Sequence, residues 1–248
     1  MSRYFLGFSY KGTHFHGWQL QPNAHTVQAE VNRALSLLLG HDVDALGCGR
    51  TDTGVHARKY VAHFDADKNI PDTGGAIAKL NRILPHDVSV YELYEVNPEA
   101  HARFDATSRT YKYFITAARN PFLQEFAVFV HFPLNLDAMN AASAMLLQQT
   151  DFTSFAKLHS DVTNNDCHVT EAYWSVNEEN STIIFTISAS RFLRNMVRAI
   201  VGALLDVGRG KLTLDDFKNI MEQKKRCSAV ASAPARGLFL WEVAYGSK

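Results

Sequence analysis

The chain has 248 residues, 46% of them hydrophobic and 20% charged, which is the composition of an ordinary globular protein and allows one large domain or two smaller ones. Its 25 basic and 25 acidic residues cancel, so the total charge announces no nucleic-acid partner and any such partner must be read from where the basic residues gather. The three cysteines, Cys48, Cys167 and Cys227, have neither metal-ligand nor redox spacing; the pattern excludes a disulfide framework and a zinc site and predicts reduced thiols in a cytoplasmic protein.

Met1 to Leu6 passes straight into a strand-like pattern without the regions of a signal peptide, and no apolar run reaches membrane-spanning length. Tyr4 to Tyr10 reads as a strand entering a long loop through Lys11-Gly12-Thr13 and Gly17-Trp18-Gln19-Leu20-Gln21-Pro22. Thr26 caps a helix carrying Val27, Val31, Ala34, Leu35 and Leu38 on one face, and Gly40 stops it. Beyond Leu46 to Arg58 the pattern predicts a strand over Tyr60 to Asp65, a helix over Ala76 to Leu84 ended by Pro85, and a strand over Val88 to Val96.

The second half repeats this grammar. Arg109 to Ile115 reads as a strand with Tyr111 and Tyr113 on one face and Lys112 on the other, followed by a helix from about Leu136 to Leu147. His168 to Val176 and Ile183 to Ala189 read as a hairpin around Glu178-Glu179-Asn180-Ser181. A helix is predicted from Phe192 to Val207, with Arg191, Arg194 and Arg198 on one stripe by their i, i+3 and i+7 spacing. Thr213 with Asp216 marks another helix start, and Leu238 to Tyr245 closes the chain as a strand. The elements alternate without a regular βαβ rhythm, so the fold class is α+β, and the repetition predicts two related halves, residues 1–105 and 106–248.

Chemistry concentrates in Gly49-Arg50-Thr51-Asp52-Thr53-Gly54-Val55-His56, where glycines bracket a carboxylate. The spacing matches neither a P-loop nor a dinucleotide fingerprint. The 11 histidines form no helical metal pair, and no Gly-x-Ser-x-Gly nucleophile motif is present. Basic residues gather at Arg50, Arg58 and Lys59; at Arg103, Arg109 and Lys112; at Arg191, Arg194 and Arg198; and at Lys224, Lys225 and Arg226. A solvated face is the bland alternative for each cluster, and a core position is the bland alternative for Tyr111.

The segment Gly49 to Ala57 closely resembles the signature loop of the tRNA pseudouridine synthase A family. Further likenesses follow in order along the chain: Tyr10-Lys11-Gly12 through Gly17-Trp18-Gln19, His101 to Ala106 with Arg109 to Tyr113, Asp151 to Phe155, Phe192 to Arg198, and Pro234 to Leu238. Four positions depart from the family pattern: Thr53 stands where alanine is usual, Leu20 where arginine is common, and Arg194 with Asn195 where histidine is frequent. The resemblance implies isomerisation of uridine to pseudouridine in the tRNA anticodon stem-loop, around tRNA positions 38 to 40, with no metal and no organic cofactor. It implies Asp52 as the catalytic carboxylate, Arg198 as its charge partner and Tyr111 as the platform stacking on the target base and a candidate for proton transfer. Arg50, Arg58 and Arg194 are then read as substrate-binding residues. It further implies two pseudo-symmetric halves, each a mainly antiparallel sheet with helices on one face, around a central catalytic cleft, and a homodimer. An aspartate can add to C1′ or to C6, or assist loss of the 2′ proton, and the residues leave these three routes open. Two rivals remain: an inactive tRNA-binding or RNA-folding module, and a nucleoside hydrolase, which commonly needs a second carboxylate.

Overall fold

The computed structural model describes residues 1–157, 164–179, 181–224 and 231–246. In chain order the elements are β1 (Ser2–Tyr10), α1 (Val27–Leu39), β2 (Leu46–Gly47), β3 (His56–Ala66), α2 (Thr73–Ile83), β4 (Val88–Val96), β5 (Ala106–Thr116), β6 (Val128–Phe129), α3 (Leu136–Met145), β7 (Val169–Asn177), β8 (Thr182–Ala189), α4 (Met196–Gly208), α5 (Leu214–Glu222) and β9 (Leu238–Tyr245). The class is α+β, with antiparallel pairing throughout the long described ladders. The chain divides into two compact units, Met1–Thr107 with Leu240–Lys248, and Ser108–Phe239.

In the first unit the strand order is β4, β1, β3, β9, with β2 beside β3. Alternation along β1 buries Tyr4, Leu6, Phe8 and Tyr10, and register pairs Tyr4 with Phe64, Leu6 with Ala62 and Phe8 with Tyr60 on the same face. The helices add Val27, Val31, Ala34 and Leu35 from α1 and Ala76 and Leu80 from α2 to the buried set. Thr26 caps α1 by accepting from the Ala29 amide, and Gly40, at φ 79°, ends it in the left-handed conformation that glycine adopts without steric penalty. Helix α2 starts at Thr73, earlier than its apolar spacing predicts, because Asp72 caps it through the Gly75 amide and thereby brings two glycines into the first turn.

The opposite face of this sheet is covered by the segment before β5. Phe5, Ala100 and Ala102 are buried there with Val61, Val96 and Tyr245 packed against them. Buried His63 lies against the His101 ring at 4.4 Å, and its Nδ1 accepts the Ala102 N–H at 3.1 Å. Burial, then the charges of His101 and Arg3, push the His63 imidazole down to about 4 from an ordinary value of 6.5. Because the folded value lies below the unfolded one, the unfolded chain takes up this proton first as the solution is acidified. The stability that neutral His63 confers is complete above about pH 6.5 and is lost on descending towards about pH 4. Asp65, held low chiefly by its hydrogen bond from Arg3, titrates below that window. Urea unfolding at pH 7 and pH 4.5 is expected to show a loss of roughly 2–3 kcal/mol from this group, reduced in His63→Asn; equal slopes in both proteins would contradict the assignment.

In the second unit β8 lies between β5 and β7, and β6 runs parallel beside β5. Tyr113, Phe185 and Trp174 form one row across three strands. Helix α4 is apolar and buried along most of its length, which suits a central packing element, and it contacts α3 and α5. Gly202 passes so close to Ala231 that an added Cβ would stand 2.0 Å from its carbonyl oxygen. Thr213 and Asp216 form the reciprocal capping box of α5.

Besides α2, further elements differ from the sequence expectation. Strand β3 begins at His56 rather than Tyr60, and α3 passes at Leu146 into a 3-10 turn. Helix α4 begins at Met196, not Phe192, because Asn195 takes left-handed dihedrals (φ 65°, ψ 0°) that interrupt helical geometry. Arg191 and Arg194 therefore precede the helix and Arg198 alone stands on it, so the three do not form a helical stripe. Cys48 and Cys167 are buried, and burial raises the Cys167 thiol to about 11. Cys227, Lys225, Arg226 and Asn180 lie outside the described residues. Among the described residues, no helix is long and apolar enough to cross a membrane.

Candidate active site

Asp52 stands on a tight turn between β2 and β3, closed by a hydrogen bond from the Val55 N–H to the Asp52 carbonyl at 3.1 Å. Gly54, at φ 77°, provides the positive φ that the turn requires. The Asp52 residue is half-buried, and Thr53 beside it is exposed at the tip. The carboxylate is thus displayed from backbone that is anything but loose.

The anchor is the amino-terminal segment Tyr10 to Trp18. Tyr10 Oη and Thr51 Oγ1 are hydrogen-bonded at 2.8 Å, and the Trp18 N–H donates to the Thr51 carbonyl at 3.4 Å. On the other side of Asp52 the Gly54 N–H donates to the Phe15 carbonyl at 3.3 Å, and the Gly12 N–H donates to His56 Nδ1 at 3.0 Å. Two glycines permit this approach: a Cβ on Gly12 would lie 2.0 Å from the Val55 carbonyl oxygen, and one on Gly17 2.3 Å from that of Thr51. Below the turn Tyr60 Oη donates to the Gly49 carbonyl, while Trp18 and Tyr60 pack ring on ring at 4.6 Å. Both rings also lie against Gly47, in the segment that leads to the turn.

Arg50 and Arg58 lie in the same unit and are both exposed. The Arg58 guanidinium sits over the Trp241 ring at 4.5 Å, and Lys59 pairs with Glu242 at 2.7 Å. A stacked guanidinium keeps its in-plane N–H donors for an acceptor such as phosphate.

Tyr111, Arg194 and Arg198 belong to the second unit. Tyr111 on β5 is half-buried, with Phe192 edge-on at 5.1 Å and 84°. Its neighbour on the same face, Tyr113, is buried; burial pushes the phenol above its ordinary range against the opposing pull of Arg198 and Arg236, and its hydroxyl donates to the Pro234 carbonyl at 2.8 Å. Tyr113 is structural and Tyr111 is the ring with an accessible surface. Arg198 is half-buried and donates from Nε to the Ala233 carbonyl at 2.8 Å, while the Ala233 N–H returns a bond to the Arg198 carbonyl at 2.9 Å. Arg194 is exposed, and its carbonyl accepts from the Lys157 amide. Segments far apart in sequence therefore meet around Arg198.

Sequence reasoning named Asp52 but gave no role to Tyr10, Gly12, Gly17, Trp18 or His56, which form its setting. The glycine and aromatic spacing of Tyr10-Lys11-Gly12 and Gly17-Trp18 was the available signal; the contact it makes was not. Among the described residues, no group of three or more His, Cys, Asp and Glu side chains is placed to hold a metal ion.

The family profile described as tRNA pseudouridine synthase matches residues 142–246. The chain is 53% identical over 246 residues to the tRNA pseudouridine synthase A of Bacteroides thetaiotaomicron, which spans 99% of this chain and 91% of that protein. It is 46% identical over 248 residues to the tRNA pseudouridine synthase A of Porphyromonas gingivalis, covering 100% and 98% of the two chains. Against the tRNA pseudouridine synthase A of Limosilactobacillus fermentum the identity is 38% over 252 residues, covering 100% and 97%.

Proposed function

The chain belongs to the tRNA pseudouridine synthase A family, and from that membership we propose that it isomerises uridine to pseudouridine in the tRNA anticodon stem-loop, around tRNA positions 38 to 40, with Asp52 as the catalytic carboxylate. The observation that carries this reading is the Asp52 turn, a half-exposed acid on backbone fastened on both flanks. The reaction breaks the bond from C1′ to N1, turns the uracil and forms a bond from C1′ to C5; the C5 proton leaves and N1 gains one, so atoms balance without a redox partner. An ionised carboxylate suits attack at C1′, attack at C6 or removal of the 2′ proton.

In this reading Arg198 is the cationic partner of the catalytic carboxylate. Its anchoring by Ala233 supports the role, because a tethered guanidinium has a fixed direction. Tyr111 stacks on the uracil once it leaves the stem, an exchange in which stacking worth about 1–3 kcal/mol offsets an unstacking cost of a few. Arg50, Arg58 and Arg194, all exposed, contact phosphates. A homodimer would let basic side chains of two chains share one RNA and so reconcile binding with zero net charge. In this reading the enzyme works in the cytoplasm, where a tRNA substrate would be met.

The test is incubation with bulk unmodified tRNA followed by carbodiimide-dependent reverse-transcription stops. Stops confined to the anticodon arm support the reading; binding without stops leaves an inactive RNA-binding module, and free uracil indicates a hydrolase. Within the same assay Tyr111→Ala is expected to lower turnover by about 10- to 100-fold, the loss of one base stack. Tyr111→Phe retains the stack and separates the hydroxyl from the ring: an unchanged rate confines Tyr111 to stacking.

A further inference from the structure

We propose that His56 is a positioning residue for Asp52, holding one flank of the turn through Gly12; this rests on the reading of Asp52 as the catalytic carboxylate. His56 is fully buried at the first position of β3, four residues after Asp52. Its Nδ1 accepts the Gly12 N–H at 3.0 Å, which puts the ring proton on Nε2 and leaves the imidazole neutral.

From Gly12 the connection runs back to the acid. The Gly12 carbonyl accepts from the Phe15 N–H at 3.0 Å, the Phe15 carbonyl accepts from the Gly54 N–H at 3.3 Å, and the turn closes from Val55 N–H to the Asp52 carbonyl. His56, the strap residues 12–15 and the turn 52–55 thus form one hydrogen-bonded ring on the carboxy-terminal side of Asp52. The opposite flank hangs on separate ties, from Tyr10 and Trp18 to Thr51. Loss of the His56 acceptor leaves a buried Gly12 N–H without its partner and frees one flank while the other stays fixed, so the acid tilts rather than the loop unfolding. A shift of about 1 Å in a reacting group costs on the order of 100-fold in rate. The exposed arginines assigned to phosphate contact do not take part in the ring, so tRNA affinity is expected to survive.

The experiment compares wild-type protein, His56→Leu and His56→Asn in kcat and KM on unmodified tRNA. Asparagine places a carbonyl oxygen where Nδ1 stands; leucine fills the space without an acceptor. His56→Leu is expected to lose about 10- to 100-fold in kcat with KM changed by less than about twofold, and His56→Asn to recover to within about threefold of wild type. An unchanged kcat in His56→Leu, a loss confined to KM, or equal losses in both variants would overturn the proposal. Should His56→Leu fail to fold, His56→Gln takes its place, its carbonyl oxygen lying one methylene farther out; a kcat deficit in Gln that Asn repairs supports the proposal, and equal rates overturn it. A wild-type chain inactive on tRNA would count against the functional reading instead, and amide exchange at Gly12, Gly54 and Val55 in the His56 variants would still report whether the ring depends on His56.

Discussion

Asp52→Asn is expected to lower pseudouridine formation by at least about a thousandfold, the scale on which removal of a single reacting group acts, while tRNA binding and thermal stability stay close to wild type. Asparagine matches aspartate in size but carries no charge, so it can neither attack carbon as an anion nor accept a proton. The bonds from Tyr10 and Trp18 to Thr51, from Gly54 to Phe15 and from Val55 to the Asp52 carbonyl use backbone groups or neighbouring side chains, and they persist in the variant. Carbodiimide-dependent stops on unmodified tRNA measure the loss, with filter binding and a melting curve beside them. Stops at wild-type intensity would remove Asp52 from the chemistry. A collapse of the melting temperature would show that the carboxylate holds the fold instead.

Gly17→Ala is the second large effect, and it acts on the same turn through packing. Gly17 has φ 84°, where an L-residue other than glycine is strained by roughly 1–2 kcal/mol. Its added methyl would also stand 2.3 Å from the Thr51 carbonyl oxygen, and backbone there must move; overpacking of this kind costs about 1–3 kcal/mol. Together the expected destabilisation is about 2–5 kcal/mol, a fall of roughly 4–20 °C in melting temperature for a chain of this size. Thr51 precedes Asp52, so activity should fall beyond what the lost stability explains. Gly40→Ala is the control: Gly40 has φ 79° but nothing within 4 Å of its missing Cβ, so it carries the strain without the clash. Equal melting temperatures and equal activities in the two variants would show that the contact with Thr51 is slack.

These two variants mark where local information ends. Strands β4 and β9 coincide with their predicted spans, and α1 lies between Thr26 and Gly40 as expected. Alternation, capping oxygens and glycine act over a few residues and are written in sequence order. The motif around Asp52 was visible for the same reason, its glycines and charges being adjacent. Helix α4 shows the opposite case. Its apolar period continues upstream through Leu193, yet the helix starts only after Asn195, whose side chain donates to Ser232 Oγ at 2.7 Å and whose neighbour Arg194 accepts from Lys157. Partners 37 residues apart set that backbone conformation, and no helical window contains both.

The sequence by itself determined the α+β class, the order and most boundaries of the elements, and the acid on which the proposed chemistry turns. Only the tertiary structure decided that Arg198 stands alone on its helix, that Tyr113 is buried while Tyr111 is only half-buried, and that the Asp52 turn is fastened by the segment from Tyr10 to Trp18. The reason is reach. Periodicity and caps are properties of neighbours along the chain, whereas the bond from Gly12 to His56 joins residues 44 apart and exists only once β1 and β3 have paired.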